Sequence, residues 1–122
     1  MKKPIRIGCV PYLNAQPLVY GLDALEEVEM RFATPRILSG LLDEGEVDLA
    51  MLSSITLFRN PGYSFVSDAI IASRGPVRSI LLISRKPLSE VERVGLDWNS
   101  LTSSGLLRII LATKYGLSPV FG

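Results

Sequence analysis

The chain has 122 residues, 48% hydrophobic and 20% charged, with 13 basic residues against 12 acidic ones for a net charge of +1. This is room for one ordinary domain, too apolar for disorder, and it makes no electrostatic case for a nucleic acid or an anionic membrane as the main partner. With no histidine and one cysteine, Ser-His-Asp, Cys-His and Cys-cluster metal schemes are excluded, and so is an intrachain disulfide.

Ile5 to Val10 is rich in β-branched residues and predicts a first strand, ended by Pro11. Asn14 is placed to cap a short helix over Ala15 to Leu25, with Pro17 in its first turn. Val28 to Phe32 alternates apolar and charged residues, as a strand with one wet face does. Thr34 and Pro35 then read as an N-cap and a first helical proline. Ile37, Leu38, Leu41 and Leu42 recur at helical spacing, and Gly45 ends the helix. Val47 to Leu52 predicts a third strand, followed by a helix through Phe58 capped by Ser53 or Ser54, and then a turn at Asn60-Pro61-Gly62.

Tyr63 to Val66 and Ala69 to Ala72 read as further short strands. The uninterrupted run Ile80-Leu81-Leu82-Ile83, inside Arg78 to Ser84, predicts a strand covered on both faces. Val94 to Asp97 is another strand. Ser100 to Tyr115 is the longest helix, stopped by Gly116. Leu106, Leu107, Ile109, Ile110 and Leu111 make that helix apolar around most of its circumference, so it demands cover on more than one side. The expectation is that residues 1–92 form a first α/β lobe and that 93–122 begin a second, incomplete one. The alternative is that the helix packs on the first sheet.

Two lysines ahead of Gly8-Cys9 look like the start of a lipoprotein signal, but Arg6 interrupts the apolar stretch such a signal needs. No apolar run approaches the ~20 residues that span a bilayer. The reading is a cytoplasmic protein.

Strand and helix alternate through the first half, which argues a parallel sheet with crossover helices. Ligands of such sheets sit outside the carboxyl ends of the strands. The loops 11–16, 33–35 and 53–56 lie at that edge, and a fourth follows Asp97. They carry Asn14, Gln16, Thr34, Ser53 and Ser54, with Thr102, Ser103 and Ser104 in the helix start beyond the fourth. No G-x-G-x-x-G, P-loop or paired-carboxylate signature is present. The acidic residues read as solvated surface.

Four segments carry a more specific pattern. They are Tyr12-Leu13-Asn14-Ala15-Gln16-Pro17-Leu18, Gly45 to Ala50 with Ser53-Ser54-Ile55, Gly75 to Ser84, and Asp97 with Ser100-x-Thr102-Ser103 opening a leucine-rich helix. In order and spacing they resemble the MqnA family, the chorismate dehydratases of the futalosine route to menaquinone. The resemblance implies the type II periplasmic-binding-protein fold: two α/β lobes joined by crossing strands, one of them near 77–85, with the ligand between the lobes. It also implies an intracellular enzyme without cofactor or metal that removes water from chorismate to give 3-[(1-carboxyvinyl)oxy]benzoate.

On this resemblance Asn14 matches the asparagine to which an active-site role is attributed. Tyr12, Ser54, Ser79, Thr102 and Ser103 become the candidate contacts to the dicarboxylate. An amide is a poor base near neutral pH, so Asn14 is expected to orient substrate or stabilise charge. Read from spacing alone, Asn14, Ser54, Thr102 and Ser103 are equally helix caps, Tyr12 and Trp98 are packing residues, Arg78 is a surface arginine and Cys9 is an inert core thiol. The chain departs from the family at Pro11, where a small residue is usual, and at Gln16 and Leu101, where basic residues are common. Those departures keep open a second reading, a non-catalytic binder of small carboxylates. Oligomeric state is not legible.

Overall fold

The computed structural model describes residues 3–66 and 69–122. The chain separates into two units, Met1–Ala72 and Ser73–Gly122.

In the first unit, β1 (Ile5–Cys9) lies between β2 (Val28–Phe32) and β3 (Leu49–Ala50) in a three-stranded parallel sheet ordered β2-β1-β3. Ile5 to Cys9 pair in turn with Val28 to Phe32, while Ile7 and Gly8 pair with Leu49 and Ala50. β2 has the predicted limits. β1 stops at Cys9, one residue early. β3 keeps only the two central residues of the predicted Val47 to Leu52, flanked by Asp48 N–H to the Arg6 carbonyl and Met51 N–H to the Gly8 carbonyl, both 2.8 Å.

The predicted helix over Ala15 to Leu25 is broken. A 3-10 turn at Leu13–Ala15 leads into α1 (Gln16–Val19), and a second 3-10 turn follows at Leu22–Ala24. Tyr20 leaves helical geometry and Gly21 takes φ +79°, a left-handed conformation that suits glycine, so the helix cannot run on. Asn14 is therefore inside a turn and is not the cap of the helix. α2 (Pro35–Asp43) begins after Thr34 with Pro35 in its first turn, as the sequence predicts, but Thr34 makes no side-chain capping hydrogen bond. α3 (Ile55–Arg59) begins after Ser54, which makes no side-chain capping hydrogen bond.

The core of this unit is Cys9, Val10, Ala15, Val19 and Leu38, with Met30, Leu41 and Met51 packed against it. Burial of a leucine such as Leu38 contributes about 1.5–3 kcal/mol. Gly8 lets α2 approach the sheet, since a Cβ there would lie 2.7 Å from Leu38 Cδ2.

In the second unit, β4 (Arg93–Val94), α4 (Leu101–Tyr115) and β5 (Val120–Phe121) form a strand–helix–strand crossover with β4 and β5 parallel. β4 is shorter than the predicted Val94 to Asp97. The buried side chains of this unit are Val94 on β4 and Leu111 on α4. Gly116 ends α4 with φ +64°, and its N–H donates to the Leu111 carbonyl. Leu106, Ile109 and Ile110 remain exposed, as a helix apolar nearly all round must leave them when one short sheet covers it.

Three predicted strands do not form. Tyr63 to Val66 and Ala69 to Ala72 lie outside any ladder, and Arg78 to Ser84 pairs with no strand among the described residues. Ile80, Leu81, Leu82 and Ile83 are all exposed. An apolar run supplies the side chains of a buried strand, but a ladder also needs a partner strand in register alongside it, and among the described residues no strand pairs with this segment.

Candidate functional site

Because β1, β2 and β3 are parallel, their carboxyl ends face one edge of the sheet. The chain leaves β1 through Val10 and Pro11 into the turn that carries Tyr12 and Asn14. It leaves neighbouring β3 through Met51 and Leu52 to reach Ser54. Three candidate residues thus follow the ends of two hydrogen-bonded strands. The turn is anchored by Ala15, which is fully buried and donates its N–H to the Tyr12 carbonyl at 3.0 Å. Asn14 and Ser54 are exposed, and Tyr12 is 42% exposed. The Asn14 amide can donate and accept hydrogen bonds at this edge without changing charge.

The other three candidates lie in the second unit, where Ser79, Thr102 and Ser103 line one open cavity of about 1070 Å³. Leu107 and Ile110 give it an apolar wall, and Asp97 lines its polar part. Thr102 and Ser103 are half-buried in the first turn of α4. The first amides of a helix have no carbonyl partner four residues back and carry the positive end of the helix dipole, so this turn favours an anion. Ser100, at the cap position, makes no side-chain capping hydrogen bond.

Sequence reasoning does not single out what Asp97 does. Its Oδ1 accepts the Asn99 N–H at 2.9 Å, an Asx turn ahead of the helix. The signal is present, as an aspartate two residues before a turn asparagine and three before the helix cap. Trp98 and Arg78 are exposed, and Gln16 lines a separate hollow of about 340 Å³ beside α1. Cys9 is fully buried, and burial pushes its thiol pKa up, which suits a core residue. Among the described residues no group of three or more Cys, Asp or Glu is placed to hold a metal ion, and no helix is long and apolar enough to cross a membrane.

A family profile for menaquinone biosynthesis matches residues 5–122. The chain belongs to this menaquinone-biosynthesis family. The match takes in both units and all six candidate residues, in agreement with the resemblance carried by the Tyr12 to Leu18 and Asp97 to Ser103 segments. A chorismate dehydratase of Thermus thermophilus is 33% identical over 110 residues, which is 89% of this chain and 40% of that relative. The chain therefore spans about two fifths of the relative's length. Membership of the menaquinone-biosynthesis family supports a role in that pathway, and the structure adds a mixed α/β architecture with small parallel sheets.

Proposed function

We propose that this chain is the first part of a chorismate dehydratase of the type II periplasmic-binding-protein fold. Residues 1–92 form its first lobe, 93–122 open its second, and the 122-residue chain alone is inactive. The observation that carries the reading is the 33% identity to a chorismate dehydratase over 89% of the chain. The sheet edge at Tyr12, Asn14 and Ser54 and the α4 turn at Thr102 and Ser103 are the surfaces it assigns to substrate.

The substrate is a dianion. The first-turn amides and hydroxyls of α4 hold one carboxylate without a metal or a histidine. Asn14, fixed by its turn, hydrogen-bonds substrate and aligns it for loss of a ring proton and the ring hydroxyl, which depart together as water. Tyr12, Ser54 and Ser79 complete the polar contacts. Aromatisation of the ring drives the step, and a substrate carboxylate is available to assist proton removal. The reading implies a cytoplasmic enzyme acting on a small dicarboxylate, with neither nucleic acid nor membrane as partner.

Full-length protein incubated with chorismate tests this directly. An aromatic product seen by ultraviolet absorbance is the expected result, and no product from a folded protein overturns it. Gln16 and Leu101, in place of basic residues, favour the second reading, a binder without activity. Tight chorismate binding without aromatic product is the result that would select it.

A further inference from the structure

The start of α4 is organised by one residue. Asn99 N–H donates to Asp97 Oδ1 at 2.9 Å, Ser100 N–H donates to the Asp97 carbonyl at 3.1 Å, and Ser104 Oγ donates to that carbonyl at 3.3 Å. Ser104 N–H closes the first helical turn on the Ser100 carbonyl at 3.0 Å. The capping residue itself contributes no side-chain bond, so the fixation that a serine cap supplies elsewhere comes here from Asp97, three residues earlier. Asp97 also lines the same cavity as Ser79, Thr102 and Ser103.

We infer that Asp97 is a positioning residue: its side chain and carbonyl fix the 97–104 turn and thereby aim the Thr102 and Ser103 amides and hydroxyls into the cavity, while its negative charge takes no part in the reaction. This rests on the assignment of Thr102 and Ser103 to a substrate carboxylate. A carboxylate beside a dianionic ligand is repulsive, so its presence is accounted for by the bond it accepts from Asn99. An asparagine offers the same acceptor oxygen without the charge, which separates positioning from proton transfer.

The experiment compares full-length wild type, Asp97→Asn and Asp97→Ala in chorismate turnover and in amide hydrogen exchange over residues 99–103. Asp97→Ala is expected to raise KM roughly tenfold or more, with a smaller change in kcat, and to speed exchange of those amides. Asp97→Asn is expected to keep kcat within about twofold, hold KM at or below wild type, and leave exchange unchanged. Loss of kcat in Asp97→Asn as large as in Asp97→Ala overturns the inference, because charge would then be the operative property. Unchanged KM or unchanged exchange in Asp97→Ala overturns it as well. If the wild type gives no aromatic product, the dehydratase reading fails, and the exchange comparison alone still decides whether Asp97 fixes the turn.

Discussion

Arg6 and Asp48, 42 residues apart in sequence, are joined by a two-pronged ion pair, with Nη2 to Oδ1 at 2.7 Å and Nε to Oδ2 at 3.0 Å. The backbone repeats the link. Arg6 N–H donates to Asp48 Oδ2 at 2.9 Å, and Asp48 N–H donates to the Arg6 carbonyl at 2.8 Å. These bonds fall immediately before the Ile7–Leu49 pair, so they fix the register of β1 on a β3 only two residues long. Register matters here because it sets which loops share the sheet edge that carries Asn14 and Ser54.

The pair makes stability depend on acid. Hydrogen bonds from the Arg6 side chain and backbone hold the Asp48 carboxyl well below the usual carboxylate range. A folded-state pKa below the unfolded value of ~3.9 means the contribution is present above about pH 4 and is lost as pH falls toward the folded value. With the Asp48 side chain 45% exposed, solvent screens the effect and salt weakens it. Urea midpoints followed by circular dichroism should fall between about pH 5 and pH 2 in wild type. The fall should be shallower in Asp48→Asn, and an identical slope in the two proteins would refute the assignment.

Gly8 and Leu38 give a second prediction. A Cβ on Gly8 would sit 2.7 Å from Leu38 Cδ2 and 3.5 Å from Ala50 Cβ, and Leu38 is fully buried. Gly8→Ala should lower stability by about 1–3 kcal/mol. Adding Leu38→Val should recover part of that loss, because it removes the reach of the clashing methyl and couples the two sites. A double variant less stable than the sum of the two single effects would count against this contact.

What is legible in the sequence follows from how local each signal is. The Val28 to Phe32 strand is written in alternation and the α2 start in the first-turn preference of Pro35, signals confined to a few residues, and both form where expected. So does the stop of α4 at Gly116. The break at Tyr20-Gly21 escapes a pattern reading because a glycine is tolerated inside a helix, and nothing local announces that Gly21 takes the left-handed region. The Ile80 to Ile83 run misleads for a different reason: its apolar character is local, but a ladder partner is not. At the candidate site, the alternation of strand and helix points to the edge loops that carry Asn14 and Ser54, while Tyr12 is singled out only by the family resemblance. The hold of Asp97 on the α4 turn depends on three hydrogen bonds that no residue pattern spells out in full.

Cys9 tests the core assignment. It is fully buried at the end of β1, its Sγ–H donates to the Val10 carbonyl at 3.3 Å, and burial raises its pKa above the ordinary thiol value. Thiolate is the reactive form, so both access and ionisation oppose reaction. A thiol reagent should leave the native protein unmodified at about pH 8 and label one cysteine per chain once urea unfolds it. Labelling at the same rate in both states would place Cys9 outside the core.

Asn14 is the residue on which the proposed reaction turns. Its turn is held by backbone contacts and by buried Ala15 rather than by its own side chain, for it caps no helix. Asn14→Ala in the full-length protein should therefore leave folding intact, with a thermal midpoint close to wild type. If the amide stabilises charge as the ring proton and hydroxyl leave, kcat for chorismate should drop by about 10²–10³-fold, the loss expected when one preorganised donor is removed. KM should change much less, because carboxylate recognition is assigned to Thr102 and Ser103. An Asn14→Ala protein with unchanged kcat would return Asn14 to the status of a surface turn residue. A rise in KM alone would make it a ground-state binding group.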